Sequence, residues 1–123
     1  MADALQIELV AADRVVWSGQ ASEVFARTVD GDLGVLRGHS PLLSLLAPGV
    51  VTIKPVEGGD VVKAAVGDGF LSVADDHVSV LSEEISLADE IDKAAVDAEL
   101  EAARESGDED AIRRAEAKSL LVS

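Results

Sequence analysis

Across residues 5–82 apolar and polar side chains alternate in short runs broken by turn residues, as expected of strands with one buried and one wet face. Leu5-Gln6-Ile7-Glu8-Leu9 is the clearest run. Val24-Phe25-Ala26-Arg27-Thr28 follows Ser18-Gly19, where a bulge or bend is expected, and Asp30-Gly31 then turns the chain. Residues 50–54 and 61–66 flank Glu57-Gly58-Gly59-Asp60, and residues 70–73 and 78–81 flank Ala74-Asp75-Asp76-His77, so both pairs read as hairpins. At about Ser86 the period changes from two to 3.6. A first helix is predicted over 87–105, opened by a capping box at Ser86-Leu87-Ala88-Asp89, with the carboxylates of Asp89, Glu90 and Asp92 near its positive end. Its inner stripe would be Leu87, Ile91, Ala94, Ala95, Ala98 and Ala102. Ser106-Gly107-Asp108 breaks and re-caps the chain, and a second helix begins near Glu109 and frays towards Ser123. The expected fold is mainly β plus α: an antiparallel β-sandwich of about ten short strands over residues 1–85, then a two-helix hairpin over 86–123.

One segment departs from simple alternation. Residues 31–49, G-D-L-G-V-L-R-G-H-S-P-L-L-S-L-L-A-P-G, fix the backbone repeatedly while supplying almost no reactive side chain. Gly31 and Gly34 permit positive φ or close approach, and Leu33, Val35 and Leu36 give the apolar side chains of a short strand. Pro41 disfavours a helical Ser40, and Pro48-Gly49 is a turn signal. An irregular loop with an apolar underside is expected.

Composition narrows the classes of function. Apolar residues make up 48% of the 123, but aromatics only 2%, namely Trp17, Phe25 and Phe70. The core must therefore be Val, Leu, Ile and Ala, and base-stacking platforms are not expected. With 24 acidic and 10 basic residues the net charge is −14, which repels nucleic-acid phosphates and anionic lipid and suits a basic partner surface. Absence of cysteine removes disulfides and thiolate chemistry. Met1-Ala2-Asp3-Ala4-Leu5 lacks the pattern of a signal peptide, and no apolar run approaches the length needed to span a bilayer, so any membrane association would run through another subunit.

Candidate chemistry is sparse. The only histidines are His39 and His77; His77 follows two aspartates in a turn and reads as solvated, whereas His39, in the constrained loop, reads as a structural hydrogen-bonding residue. Two histidines without cysteine make no zinc site. The carboxylate pairs Asp75-Asp76 and Glu83-Glu84, and the run Asp108-Glu109-Asp110, read as solvated turns or helix caps. Gly67-Asp68-Gly69 leads into no helix and carries no phosphate-loop lysine. No catalytic residue, metal or cofactor is implied.

The run G-x-L-G-x-L-x-x-H-x-P-L-L within residues 31–43 resembles the signature of the epsilon subunit of bacterial F-type ATP synthases. Val66-Gly67-Asp68-Gly69-Phe70-Leu71-Ser72-Val73 is similar to that family's V-x-G-G-F-L-x-V, with Asp68 where glycine is common. Sandwich, both motifs and helical tail follow in the family's order. The resemblance implies a non-catalytic rotor subunit of the central stalk, one copy per complex, peripheral at the cytoplasmic face of the plasma membrane. It would couple proton flow to ATP synthesis, with the sandwich docked on the gamma subunit and c-ring. It places Asp32, Arg37, Gly38 and His39 at the c-ring contact, although an aspartate in a turn needs no partner. Gly31, Gly34, Pro41, Pro48, Gly49, Gly67 and Gly69 are its structural motif residues.

The same resemblance makes the hairpin a regulatory element that lies on the sandwich or extends towards the alpha and beta catalytic subunits to restrain hydrolysis; a permanently docked tail is the alternative. Residues 86–110 hold ten acidic and two basic side chains, whereas 111–123 hold one acidic and three basic. Arg113, Arg114 and Lys118 thus form a basic end that meets acidic catalytic segments, or complements the helix dipole and the acidic first helix. Some family members bind ATP through I-D-x-x-R-A; here Ile91 and Asp92 are present, but Ala95 replaces the arginine, so weak or absent nucleotide binding is expected. A stand-alone acidic β-sandwich adaptor for a basic protein is the competing reading.

Overall fold

The computed structural model describes residues 4–56 and 59–122. Among them are nine strands: β1 Leu5–Val10, β2 Val15–Thr28, β3 Gly31–Leu36, β4 Leu42–Leu46, β5 Gly49–Pro55, β6 Val62–Val66, β7 Gly69–Ala74, β8 His77–Ser82 and β9 Ile85–Leu87. A 3-10 turn at Ala88–Glu90 leads to helices α1, Lys93–Ser106, and α2, Glu109–Val122. The strand order is β1-β8-β7-β4-β2-β5-β6-β9, with β3 on β2 and a further β1–β2 pairing. β2 serves both layers of the sandwich: its first half pairs with β1, its second with β3 and β5, and Thr28 meets Leu46 of β4.

The alternating residues meet in the middle. Leu5, Ile7 and Leu9 of β1 pack with Val24, Val35, Val51, Ile53, Leu71, Val73, Val78 and Val80, all essentially buried. No aromatic ring is among the fully buried side chains. The expected bend at Ser18-Gly19 is not found, because pairing to β1 is continuous there; the irregularities of β2 lie at Val16, between Val15 and Trp17, and at Ser22, between Ala21 and Glu23. Ser22 Oγ donates to the carbonyls of Lys54 and Pro55, both at 3.2 Å. Gly19 instead makes room for the Trp17 ring, whose atoms lie 2.8 Å from where a Cβ would sit.

Both expected hairpins form, β5–β6 with Ile53 opposite Val62 and β7–β8 with Ala74 opposite His77. Part of the first turn, Glu57-Gly58, lies outside the described residues, as do Met1 to Asp3 and Ser123. The segment expected to be an irregular loop is mostly sheet: Gly31 and Gly34 belong to β3, and only residues 37–41 lie between β3 and β4.

The helical half needs two corrections. The first helix starts at Lys93, not Leu87, because Leu87 still pairs with Ala64 and Ile91 returns to extended backbone. Its cap is Asp92, whose carboxylate accepts the Ala94 N–H at 3.1 Å, and Gly107 closes it at φ 71°. The later start rotates the inward stripe to Val96, Leu100 and Ala103; Ala94, Ala95, Ala98 and Ala102 are exposed. Asp108 re-caps the chain by accepting the Asp110 and Ala111 N–H groups. α2 lies against β5 and β6, and α1 packs on α2.

Candidate functional site

Three surfaces carry the unusual chemistry. The first is the outer face of β4, β7 and β8, where pairing sets Leu45 beside Phe70 and Phe70 beside Leu81. With Leu43 two residues before Leu45, they form an apolar row 72%, 51%, 49% and 44% exposed at Leu43, Leu45, Phe70 and Leu81. It borders a cavity of about 370 Å³ lined by Val10, Ala11, Phe70 and Ser82. The sequence signal for this row is Leu43-Ser44-Leu45, whose alternation puts both leucines on one face. Gly69 keeps this face together, because a Cβ there would lie 1.9 Å from the Leu81 carbonyl oxygen.

The second surface divides the residues assigned to the c-ring contact. Asp32 stands at the β2–β3 turn, where Thr28 Oγ1 donates to the Gly31 carbonyl at 2.7 Å and accepts the Asp30 N–H at 3.2 Å. Gly31 has φ 123°, and the Asp32 carboxylate, 81% exposed, takes an Arg27 Nε–H at 3.3 Å. Pro48 and Gly49 turn the chain beside it, with Gly49 closely packed on Arg27. Arg37, Gly38 and His39 sit past the other end of β3, since four residues of strand from Asp32 to Leu36 span roughly 13 Å. There Gly38, at φ 81°, donates its N–H to Asp76 Oδ1 at 2.7 Å, and His39 Nδ1 donates to the Ser40 carbonyl at 2.7 Å. Pro41 leads into β4. Asp76, read from sequence as solvated, is therefore a tie between the β3–β4 loop and the β7–β8 turn. Gly34 lies under the Phe25 ring, with Lys54 Nζ 5.2 Å from the ring centre.

The third surface is where α2 meets the sandwich. Ala115 and Ala117 are buried, a small apolar contact at about 0.8 kcal/mol per buried methyl group. Charge is concentrated around it. Lys118 Nζ bonds the Glu84 carboxylate of the β8–β9 turn and both oxygens of Glu99 on α1, at 3.0 and 3.2 Å. Burial pulls the Lys118 ammonium down, but its hydrogen bonds to Glu84 and Glu99 outweigh this and hold it above its ordinary value. Arg114 reaches Asp68 at 3.8 Å and Glu84 at 3.6 Å, and its Cδ lies over Gly67. Arg113 pairs with Glu109 at 3.9 Å and faces the Arg27–Asp32 turn. At the base, Arg14 Nη2 donates to Glu90 at 2.8 Å; Glu90 is held below its usual range by the Leu87 N–H and then by Arg14.

Ile91 and Asp92 line a cavity of about 150 Å³ with Glu90, Ala95, Glu99 and Lys118. Three carboxylates surround one cation that is already paired, and Asp92 caps α1. Carboxylates outnumber cations there, which disfavours a phosphate group.

Every buried side-chain polar atom among the described residues has a partner. What the molecule presents is surface: an apolar sheet face, a rigid charged turn and a clipped helical hairpin, the attributes of a docking subunit. The chain belongs to the family of the ATP synthase delta/epsilon chain, whose beta-sandwich domain model matches residues 4–88. It is 53% identical to the ATP synthase epsilon chain of Streptomyces avermitilis over 123 residues, 100% of this chain and 98% of that one. The fold matches a chain of the Euglena gracilis mitochondrial ATP synthase, OSCP/F1/c-ring in rotational state 1, with TM-score 0.83, 24% identity and coverage of 100% and 84%. It also matches a chain of the Tetrahymena thermophila mitochondrial ATP synthase central stalk/c-ring, with TM-score 0.64, 15% identity and coverage of 94% and 97%.

Proposed function

We propose that this chain is the non-catalytic epsilon subunit in the rotor of an F-type ATP synthase, helping to transmit torque between proton flow through the c-ring and ATP synthesis in the head. The observation that carries the reading is the apolar row Leu43, Leu45, Phe70 and Leu81, whose exposure is unfavourable for a free monomer and matches a permanent protein contact. We assign this face to the gamma subunit. The Asp32 turn is assigned to the polar loops of the c-ring, since Thr28 fixes it from beneath and its carboxylate points outward. Arg37, Gly38 and His39 lie at the other end of β3 and touch a different part of the stalk. The sandwich, residues 1–85, is the docking part, and residues 86–123 are the regulatory hairpin.

Among the described residues no helix is long and apolar enough to cross a membrane. The subunit is peripheral, held at the cytoplasmic face of the plasma membrane by its partners. Arg114 and Lys118 are engaged within the chain while the hairpin is docked, so they meet acidic segments of catalytic subunits only after release. The cavity at Ile91 and Asp92 binds nucleotide weakly or not at all.

Absence of cysteine makes single-cysteine cross-linking clean. In native membranes, Phe70→Cys should cross-link to gamma and Asp32→Cys to the c subunit. Cross-links from neither position to any ATP synthase subunit would reject the reading and favour an acidic adaptor with another, basic partner.

A further inference from the structure

The two turns that face α2 form one unit. Ser82, 8% exposed, donates from Oγ to the Asp68 carbonyl at 3.0 Å or the Glu84 carbonyl at 3.1 Å, and accepts the Glu84 N–H at 3.2 Å. The Gly67 N–H donates to the Glu84 carbonyl at 2.9 Å. This staple sets the carboxylates of Asp68 and Glu84 side by side against α2. Arg114 and Lys118 are one helical turn apart on α2, so both face the pair. Lys118, whose side chain is only 13% exposed, also joins Glu99 of α1, which brings sandwich, first helix and second helix together at one ammonium.

We propose that this cluster is the latch of the hairpin, with Glu84 its hub: α2 stays on the sandwich because two cations share the carboxylates of Asp68, Glu84 and Glu99. The apolar seat is modest: Val96, Leu100 and Ala103 lie on the inner stripe of α1, and the fully buried side chains of α2 are two alanines, with Ile112, Leu121 and Val122 half-buried. The latch does not rest on the rotor reading.

The test uses the isolated full chain with spin labels at Lys63→Cys on β6 and Glu105→Cys on α1, both exposed and remote from the cluster. Pulsed dipolar spectroscopy should give one narrow distance in the parent, and a second, longer population in both Glu84→Gln and Lys118→Gln. Hydrogen exchange across α2 should accelerate at least about tenfold in both variants, since each loses a charge-assisted bond and an undocked fourteen-residue helix is marginal in water. Glu101→Gln, which removes a carboxylate from the exposed face of α1, should match the parent. Unchanged distances together with exchange within twofold of the parent in both variants would overturn the latch and leave α2 held by its apolar contacts. Either result leaves the cross-linking test of the rotor reading untouched.

Discussion

Gly69→Ala should be among the most damaging single-methyl changes in this chain. A Cβ would lie 1.9 Å from the Leu81 carbonyl oxygen and 3.0 Å from the Leu81 carbonyl carbon and the Ser82 Cα, all backbone atoms of the paired strand β8. Since carbon and oxygen need more than 3 Å, β7 and β8 must separate by over an ångström, or Gly69 must leave the ladder that joins it to Leu46 and Ser82. Loss of one or two ladder bonds costs about 0.5–1.5 kcal/mol each. Strain in a packed sheet adds about 1–3 kcal/mol. The sum, about 1.5–6 kcal/mol, is a large part of the stability of a small domain and should lower Tm by roughly 5–30 °C. The outer apolar row should distort as well, because Phe70 and Leu81 flank the site. Gly34→Ala is the comparison: its Cβ would meet only the edge of the Phe25 ring, at 3.1 Å, and a ring can tilt. Thermal unfolding followed by far-UV circular dichroism decides the matter. A Gly69→Ala chain melting within 3 °C of the parent would refute the argument.

The β7–β8 turn holds Asp75 at φ 50° and Asp76 at φ 62°, so Asp75→Gly should stabilise by about 0.5–1 kcal/mol in chemical denaturation. Asp76→Gly should gain less, because it also removes the acceptor of the Gly38 N–H. Glu90 sits below its ordinary value near 4.5, so its contribution is present above that value and lost as pH falls through the lower folded one. Protection of the Leu87 amide, which donates to Glu90 at 3.0 Å, should therefore persist at pH 6 and fail only below about 4.5; early loss by NMR would contradict this. Lys118 is raised, so its contribution is complete at and below its ordinary value of 10.5 and is lost only as pH rises beyond it. Docking measured by the spin-label distance should accordingly show no Lys118-linked change between about pH 6 and 9.

Much of this architecture was legible because burial and period coincide. Leu5-Gln6-Ile7-Glu8-Leu9 alternates and is a half-buried strand, and Asp108 follows Gly107 as a helix stop and start. The misreadings share one cause, tertiary context outweighing a local signal. Leu87 follows a serine and precedes acidic residues, the look of a helix start, yet β6 offers it a ladder and the helix waits for Asp92. Gly19 suggests a bend, but its missing side chain is used by Trp17. Asp32 and His39 are close in sequence, yet the extended strand between them sets them at opposite ends of β3. The ion cluster was legible in part: a basic end that complements the acidic first helix is met by Lys118 and Glu99, whereas Asp68 and Glu84 join it only when α2 folds back on the turns.

The central claim is that an apolar sheet face seats this chain in a rotary ATP synthase. Its most direct test is affinity purification of the tagged full chain from gently solubilised native membranes, beside a Leu43→Asp/Phe70→Asp variant first shown to fold. The parent should bring gamma, the c subunit and the catalytic subunits with it, and the variant should lose at least about nine-tenths of that recovery, as expected of charge placed at the centre of an interface. A parent chain recovered alone, or a variant that retains every subunit, would contradict the account.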